Sequence, residues 1–406
     1  MNPSKNRNVT LLIIVAALGY FVDIYDLVLF SVIRVASLKS IGVAQEDLLS
    51  VGVTLINAQM IGMLLGGILW GIWGDKKGRL QVLFGSILMY SLANIANAFV
   101  TDVPTYALIR FIAGIGLAGE LGAGITLVAE SMSKEKRGYG TMLVAAIGLL
   151  GAVAAGLVGD KFTWQTAYLI GGGMGLLLLV LRLGVMESSI YNKIQHKNVS
   201  KGNFLMLFTS WPRFKKYINC TLIALPTWFV VGILVTFAPE FGIAMGATEP
   251  LSAGKGIIFT YLGISAGDIL SGVLSQYFKT RKKIVFVFLV ATLASILFYL
   301  FSKGIDASTY HLICFLLGVS TGFWVIFVTI AAEQFGTNLR ATVTTTVPNF
   351  IRGSLVLVTF SFEYLKHQVG IVNSGLIVGV TTLIIAFIAV YNLEETYGKD
   401  LDYVEE

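Results

Sequence analysis

Asp23 and Asp26 stand three positions apart inside an otherwise apolar run that extends from Val9 to Val35. At 100° per residue they lie about 60° apart on one helix face. Carboxylates this close in a low dielectric do not ionise equally, which suits the pair to carry a proton. Glu120 adds a third acid within another apolar run. Arg110 and Arg352 lie in comparable surroundings, and each guanidinium presents a bidentate fork that matches a carboxylate. Pro348 and Asn349 lie just before Arg352 and would loosen a helix, exposing backbone carbonyls to a ligand. Tyr25, Trp228 and Trp324 could line a cavity, with ordinary helix packing as the alternative for each. The chemistry indicated is proton binding beside recognition of a small anion. The structural alternative is that Asp26 neutralises Arg110 and holds two helices together. No nucleophile–base pair and no cluster of metal ligands is visible, so the expectation is not an enzyme, no metal and no cofactor beyond the proton as coupling ion.

Such groups need elements that hold them away from water. Of 406 residues, 56% are hydrophobic and only 13% charged, against roughly 25% charged in soluble chains. Twelve apolar runs follow one another, from Val9–Val35 to Val372–Tyr391, most of them long enough for the ~20 residues that cross a bilayer. The first run holds two aspartates and continues apolar beyond them, so it is not a cleaved signal peptide. With the N-terminus placed inside, most Lys and Arg fall in alternate segments on the cytoplasmic side, including Arg182 in the central segment, and both termini are cytoplasmic. The net charge of +6 is therefore a topology signal, and with no basic stripe nucleic acid is not an expected partner. Expected partners are the lipid bilayer and a small-molecule substrate, with the chain as a monomer.

The fold class expected is all-α integral membrane, with twelve transmembrane helices in two six-helix bundles. Residues 1–185 form the N-terminal bundle and residues 217–391 the C-terminal one. The cytoplasmic central loop, 186–216, is basic and partly amphipathic, so it lies along the inner membrane surface. Residues 392–406 form an acidic cytoplasmic tail. Cys220 and Cys314 fall at opposite ends of their spans and are not expected to bridge. Depth along the helices, at 1.5 Å per residue, permits two ion pairs, Asp26–Arg110 and Asp268–Arg352, so Asp268 is read as a structural partner. Arg34, near the outer end of its run, is read as an interfacial anchor. Gly114-Ile-Gly116-Leu-Ala-Gly119 matches a dinucleotide fingerprint, but no strand precedes it and small-residue helix packing accounts for it.

The segment Gly71-Ile-Trp-Gly74-Asp75-Lys76-Lys77-Gly78-Arg79 resembles the loop 2–3 signature of the major facilitator superfamily. Arg110-Phe-Ile-Ala-Gly114-Ile-Gly116 resembles its span-four motif, and Glu130 with Arg137 and Glu333 with Arg340 resemble the paired elements after spans four and ten. Asp23-Ile-Tyr25-Asp26 is similar to the span-one pattern of metabolite:proton and aromatic-acid:proton symporters, and the tail Glu395-Thr396-Tyr397-Gly398-Lys399 is similar to endings seen in sugar-porter and metabolite-symporter relatives. Gly151 is followed by Ala152 rather than the proline of drug:proton antiporters, which lowers the expectation of drug efflux. The resemblance covers essentially the whole chain. It implies a secondary transporter of the cell membrane that rocks two bundles about a midplane site. It also implies a cytoplasmic gate of Asp75, Arg79, Glu130, Arg137, Glu333 and Arg340.

Taken together, Asp23, Asp26 and Glu120 are the expected proton-coupling groups. Arg352, with Arg110 second, is expected to recognise the negative group of an organic anion or zwitterion. A proton antiporter exporting a drug or metabolite and a uniporter remain open, as does a non-transporting membrane receptor.

Overall fold

The computed structural model describes residues 3–77, 79–120, 137–186 and 204–399, and every regular element among them is helical. The first six helices are α1 (Pro3–Ser40), α2 (Leu48–Lys77), α3 (Arg79–Asn97), α4 (Val103–Leu117), α5 (Arg137–Lys161) and α6 (Trp164–Met186). A 3₁₀ turn at Phe204–Phe208 leads to α7 (Trp211–Leu222), α8 (Leu225–Phe229), a π-helical stretch Val230–Val235 and α9 (Ala238–Met245). The chain continues through α10 (Ala253–Tyr277), α11 (Lys282–Phe301), α12 (Ala307–Thr321), α13 (Trp324–Glu333), α14 (Thr337–Val369) and α15 (Ile371–Asn392). Among the described residues eight segments, three of them joining consecutive pieces, are long and apolar enough to cross a bilayer. Of the other four apolar runs, three fall largely within α3, α5 and α14, and α4 covers the first part of the fourth, whose end lies outside the described residues.

The outer faces of these helices are greasy. Leu108 on α4, Leu177 and Val180 on α6, Leu357 and Phe360 on α14 and Tyr391 on α15 are each at least 60% exposed. Contiguous apolar surface of this extent is foreign to a water-soluble monomer and fits contact with lipid. Charged groups are instead found inside, among them Asp23, Asp26, Glu120, Asp268, Arg34, Arg110, Arg182 and Arg352. Such groups are tolerated inside a membrane protein only where they pair or border a cavity.

Helix ends follow local chemistry. Asp102, Ser252 and Asp306 each accept a hydrogen bond from the backbone N–H three residues on, capping α4, α10 and α12. The seventh run breaks where Pro226 and Pro239 remove backbone donors, and Thr236 Oγ1 donates to Val231 O at 2.7 Å to close the π turn between them. The tenth run breaks at Gly322–Phe323, between α12 and α13, where Gly322 packs directly on Gly267 of α10. Pro348, expected to loosen its helix, lies inside an α14 that continues without interruption.

Packing repeats along the chain. In the first part α2 packs on α4, α1 on α5 and α6, and α3 on α4 and α6. In the second part α10 packs on α12, α11 on α12 and α15, and α14 on α15. The two parts meet chiefly through α2 against α14 and α5 against α10. Shifting each partner by six apolar runs exchanges these two contacts, as an internal two-fold repeat requires.

Leu207 is buried while Leu205 and Trp211 are exposed, and Phe204 packs against Phe350 of α14. Cys220 and Cys314 are buried free thiols.

Candidate functional site

Where the two parts meet, Leu27, Val28 and Ser31 of α1, Ile56, Gln59 and Met60 of α2, Arg110 of α4, Trp228 of α8, Val231 and Gly232 of the π stretch and Leu355 of α14 surround a closed cavity of about 20 Å³. That is room for about one water. A substrate enters only if the parts separate.

Arg110 is the charged member of this lining and is 2% exposed. Its Nη2 donates to Gln59 Oε1, Nη1 to the Tyr168 hydroxyl at 3.2 Å and Nε to Leu55 O at 3.4 Å. The guanidinium carbon lies 4.1 Å from the centre of the Phe30 ring. The arrangement is set by α4 approaching α2 closely. A Cβ at Gly114, one turn after Arg110, would collide with the Gln59 carbonyl, so only glycine permits the contact. Among the described residues no carboxylate reaches Arg110 within 4.0 Å. The expected Asp26–Arg110 ion pair is therefore not formed. Asp26 is buried over Gly171 of α6, beside the Asn94 amide and close enough to feel the charge of Arg110, but in ion-pair contact with neither Arg110 nor Arg352.

Arg352 differs from expectation in another way. Its partner is Asp23, at 3.8 Å from Nη2, and not Asp268. Helix depth had permitted Asp268. The direction in which α14 turns the side chain brings it to Asp23 of α1 instead. The pair is loose, since Nε and Nη1 of Arg352 and both oxygens of Asp23 lack hydrogen-bond partners. The guanidinium lies 5.7 Å from the Trp228 ring, and Trp324 packs edge-on against Trp228 at 6.3 Å. Asp268 instead accepts a hydrogen bond from the Val325 N–H at 3.2 Å.

Glu120 is not a free acid. Arg182 grips it with both terminal nitrogens, Nη1 at 3.1 Å from Oε2 and Nη2 at Oε1. Arg182 was counted with the cytoplasmic segment in the sequence but is 3% exposed, because α6 carries it back against α4 and α1. Tyr25 donates to Ala167 O at 2.9 Å and ties α1 to α6, away from the cavity lining. Asn349 donates through Nδ2 to Ala118 O at 2.9 Å, bridging the two parts, while its Oδ1 has no partner.

Arg34 corrects its reading as an interfacial anchor. It is wholly buried and bidentate to Glu240, at 2.7 and 2.8 Å, with Nη1 donating to Leu48 O and the plane resting 4.6 Å over Phe237. The Ser31–Thr236 hydroxyl bond, with Ser31 Oγ as donor because the Thr236 proton goes to Val231 O, and Thr359 Oγ1 donating to Asn57 Oδ1 bind the two parts nearby. Of the expected gate, Glu130 lies outside the described residues, as do the side chains of Asp75, Arg79, Arg137 and Arg340. Glu333 is described, and its carboxylate accepts from Arg281 Nε and Nη2 at 3.2 and 3.1 Å.

Sequence reasoning missed Gln59, Tyr168, Arg182 and Glu240. Gln59 and Arg182 are single polar residues inside apolar runs, which was the available signal.

The sequence profile of the Major Facilitator Superfamily matches residues 11–358. A putative niacin/nicotinamide transporter of Bacillus subtilis is 27% identical over 87% of this chain and 89% of its own length. A gentisate transporter of Corynebacterium glutamicum is 23% identical over 93% of this chain and 86% of its own length. A 3-(3-hydroxyphenyl)propionate transporter of Escherichia coli is 24% identical over 65% of this chain and 66% of its own. Among solved structures, a D-xylose–proton symporter covers 97% of this chain over its full length with a TM-score of 0.71 at 17% identity, a likeness of fold.

Proposed function

The chain belongs to the major facilitator superfamily and is a multi-pass membrane transporter rather than an enzyme, and from that premise we propose that it carries a small organic acid together with a proton. The observation that carries the reading is Arg110, a buried guanidinium on the wall between the two parts with no carboxylate in ion-pair range among the described residues. An unpaired buried cation is costly, and a carboxylate substrate supplies the missing charge. Gln59 occupies the fork in the closed state and yields it to the substrate. The unpartnered Nε and Nη1 of Arg352 offer a second set of donors beside Trp228. The indole face suits a flat ring, and relatives named for gentisate and 3-(3-hydroxyphenyl)propionate act on aromatic acids.

Charge balance supplies the coupling. When the parts separate and the site is empty, water reaches Asp26, which can then carry its charge beside Arg110. Once a carboxylate binds Arg110, Asp26 is surplus charge in a low dielectric and takes a proton. Asp23, freed from Arg352 when that group also engages substrate, serves the same end. Substrate and proton therefore load together and leave together, which is symport. Glu120, held by Arg182, stiffens the seam of α1, α4 and α6 and is withdrawn from the proton set.

The proposal includes twelve spans in two bundles, residues 1–185 and 217–391, with both termini cytoplasmic, in the cell membrane. The test is proton flux into proteoliposomes holding a trapped pH dye, challenged with aromatic and aliphatic acids, sugars, amino acids and organic cations. Inward proton movement driven by one class of acid, and lost in Asp26→Asn, supports the reading. Acid uptake with no proton movement leaves a uniporter, and proton exit on adding a cation reverses it to antiport.

A further inference from the structure

Pairing the interior charges leaves one acid over. Arg182 holds Glu120, Arg352 meets Asp23, Arg34 holds Glu240, and Asp26 shares the surroundings of Arg110. Asp268, midway along α10, has no cationic partner within 4.0 Å among the described residues. Its side chain is 7% exposed. Oδ1 accepts the Val325 N–H at the first turn of α13, and Oδ2 is enclosed with no hydrogen-bond partner.

The groups around it are few. Tyr20 of α1 is the titratable side chain whose field reaches Asp268, and Tyr20 in turn meets Asp23, Arg352 and Tyr261 of α10. From α13 come backbone N–H groups of Trp324 and Val325. From α12 comes Gly322, packed on Gly267. Among the described residues α5, α9, α11 and the π stretch bring no charged group to bear on it. Two N–H dipoles at the start of a ten-residue helix do not balance a whole charge whose second oxygen is sealed from water.

We propose that Asp268 is a second proton-binding site, in the part of the molecule opposite Asp23 and Asp26, and that it holds its proton in the closed state seen here. It is independent of the substrate reading above, because it follows from enclosure and from the absence of a counter-ion. Its reach to the cavity is short. Trp324 opens α13, the helix that Asp268 caps, and packs on Trp228 in the cavity wall. Losing the proton would strengthen the grip on the Val325 N–H and draw the start of α13, with Trp324, toward α10. Proton occupancy at Asp268 thus biases the wall that substrate meets.

Infrared titration of the purified, lipid-embedded protein tests this without any substrate. The wild type is expected to show a carboxylic-acid carbonyl band at neutral pH that is missing from Asp268→Asn, a variant that keeps the acceptor for Val325. The same carboxylic-acid bands in both proteins at every pH would overturn the proposal. If Asp268→Asn does not fold, Asp268→Glu decides. A band that moves to the glutamic-acid position supports the site, and an unmoved spectrum rejects it.

Discussion

Arg110 and Arg352 share a side chain and a burial class, yet their surroundings assign them different work. Arg110 is saturated by neutral acceptors, Gln59, Tyr168 and Leu55 O, and waits for an anion. Arg352 is undersaturated and leans on Asp23 at 3.8 Å, a contact weak enough to exchange. Arg110→Lys keeps the charge but loses the fork, so apparent substrate affinity should fall roughly tenfold or more, about 1.4 kcal/mol. Uptake kinetics show it as a raised KM. Asp26→Asn should abolish proton-driven accumulation while substrate counterflow across the membrane persists, because the neutral amide stands for the protonated carboxyl. Loss of counterflow along with accumulation would instead assign Asp26 a purely structural role. Both arginines and both aspartates were legible in the sequence as ionisable residues inside apolar runs. Their partners were not, because depth along a helix is fixed by residue count while the direction a side chain faces is fixed by the neighbouring helix.

Element boundaries carry their own logic. One run that borders the cavity breaks, the seventh at Pro226 and Pro239, and so does the tenth, at Gly322, just before the Trp324 that packs on the cavity-lining Trp228. Prolines are visible in a sequence, whereas Gly322 among 44 glycines is distinguished only by lying against Gly267. The tail after α15 is fixed by a cap. Glu395 accepts from Thr280 Oγ1 and from the N–H groups of Arg281 and Lys282 at the start of α11, while Lys282 Nζ donates to Tyr391 O and Leu393 O. Burial alone would raise the Glu395 carboxyl, but the Thr280 hydroxyl and the N–H groups of Arg281, Tyr397 and Lys282 together hold it below the ordinary glutamate range. A carboxyl lowered in this way anchors the tail fully above the ordinary value of about 4.3 and loses its hold as pH falls through the lowered one. The protection of the amides of residues 280–283 against hydrogen exchange, relative to the unstructured rate at each pH, should therefore be high at neutral pH and fall only in strong acid. Glu395→Gln should show low protection at both, and equal protection in the two proteins would remove the tail from this role.

Over the whole molecule, two surfaces must part for anything to reach Arg110. Under the proposed topology, with a cytoplasmic N-terminus, the outer closure is the Arg34–Glu240 pair with the Ser31–Thr236 and Asn57–Thr359 bonds. Removing one partner of so enclosed a pair leaves the other charge stranded, which favours the open form that rehydrates it. Arg34→Ala should raise labelling of a cysteine placed at Ser31 by an impermeant maleimide roughly tenfold, about 1.4 kcal/mol of the opening equilibrium. The charge exchange Arg34→Glu with Glu240→Arg should bring the rate back toward the parent. A labelling rate indifferent to both changes would mean that closure rests on the helix packing of α2 against α14. The sequence by itself determined that this chain lives in lipid, that it is helical and repeated, and that ionisable groups sit in its interior. Hydropathy, charge placement and residue type are properties of a chain read in one dimension. Which acid meets which base was decided by the tertiary structure alone. A buried charge takes the partner that close packing of helices brings to its face, and that choice paired Glu120 with Arg182, gave Asp23 to Arg352, and left Arg110 and Asp268 without an ion-pair contact among the described residues.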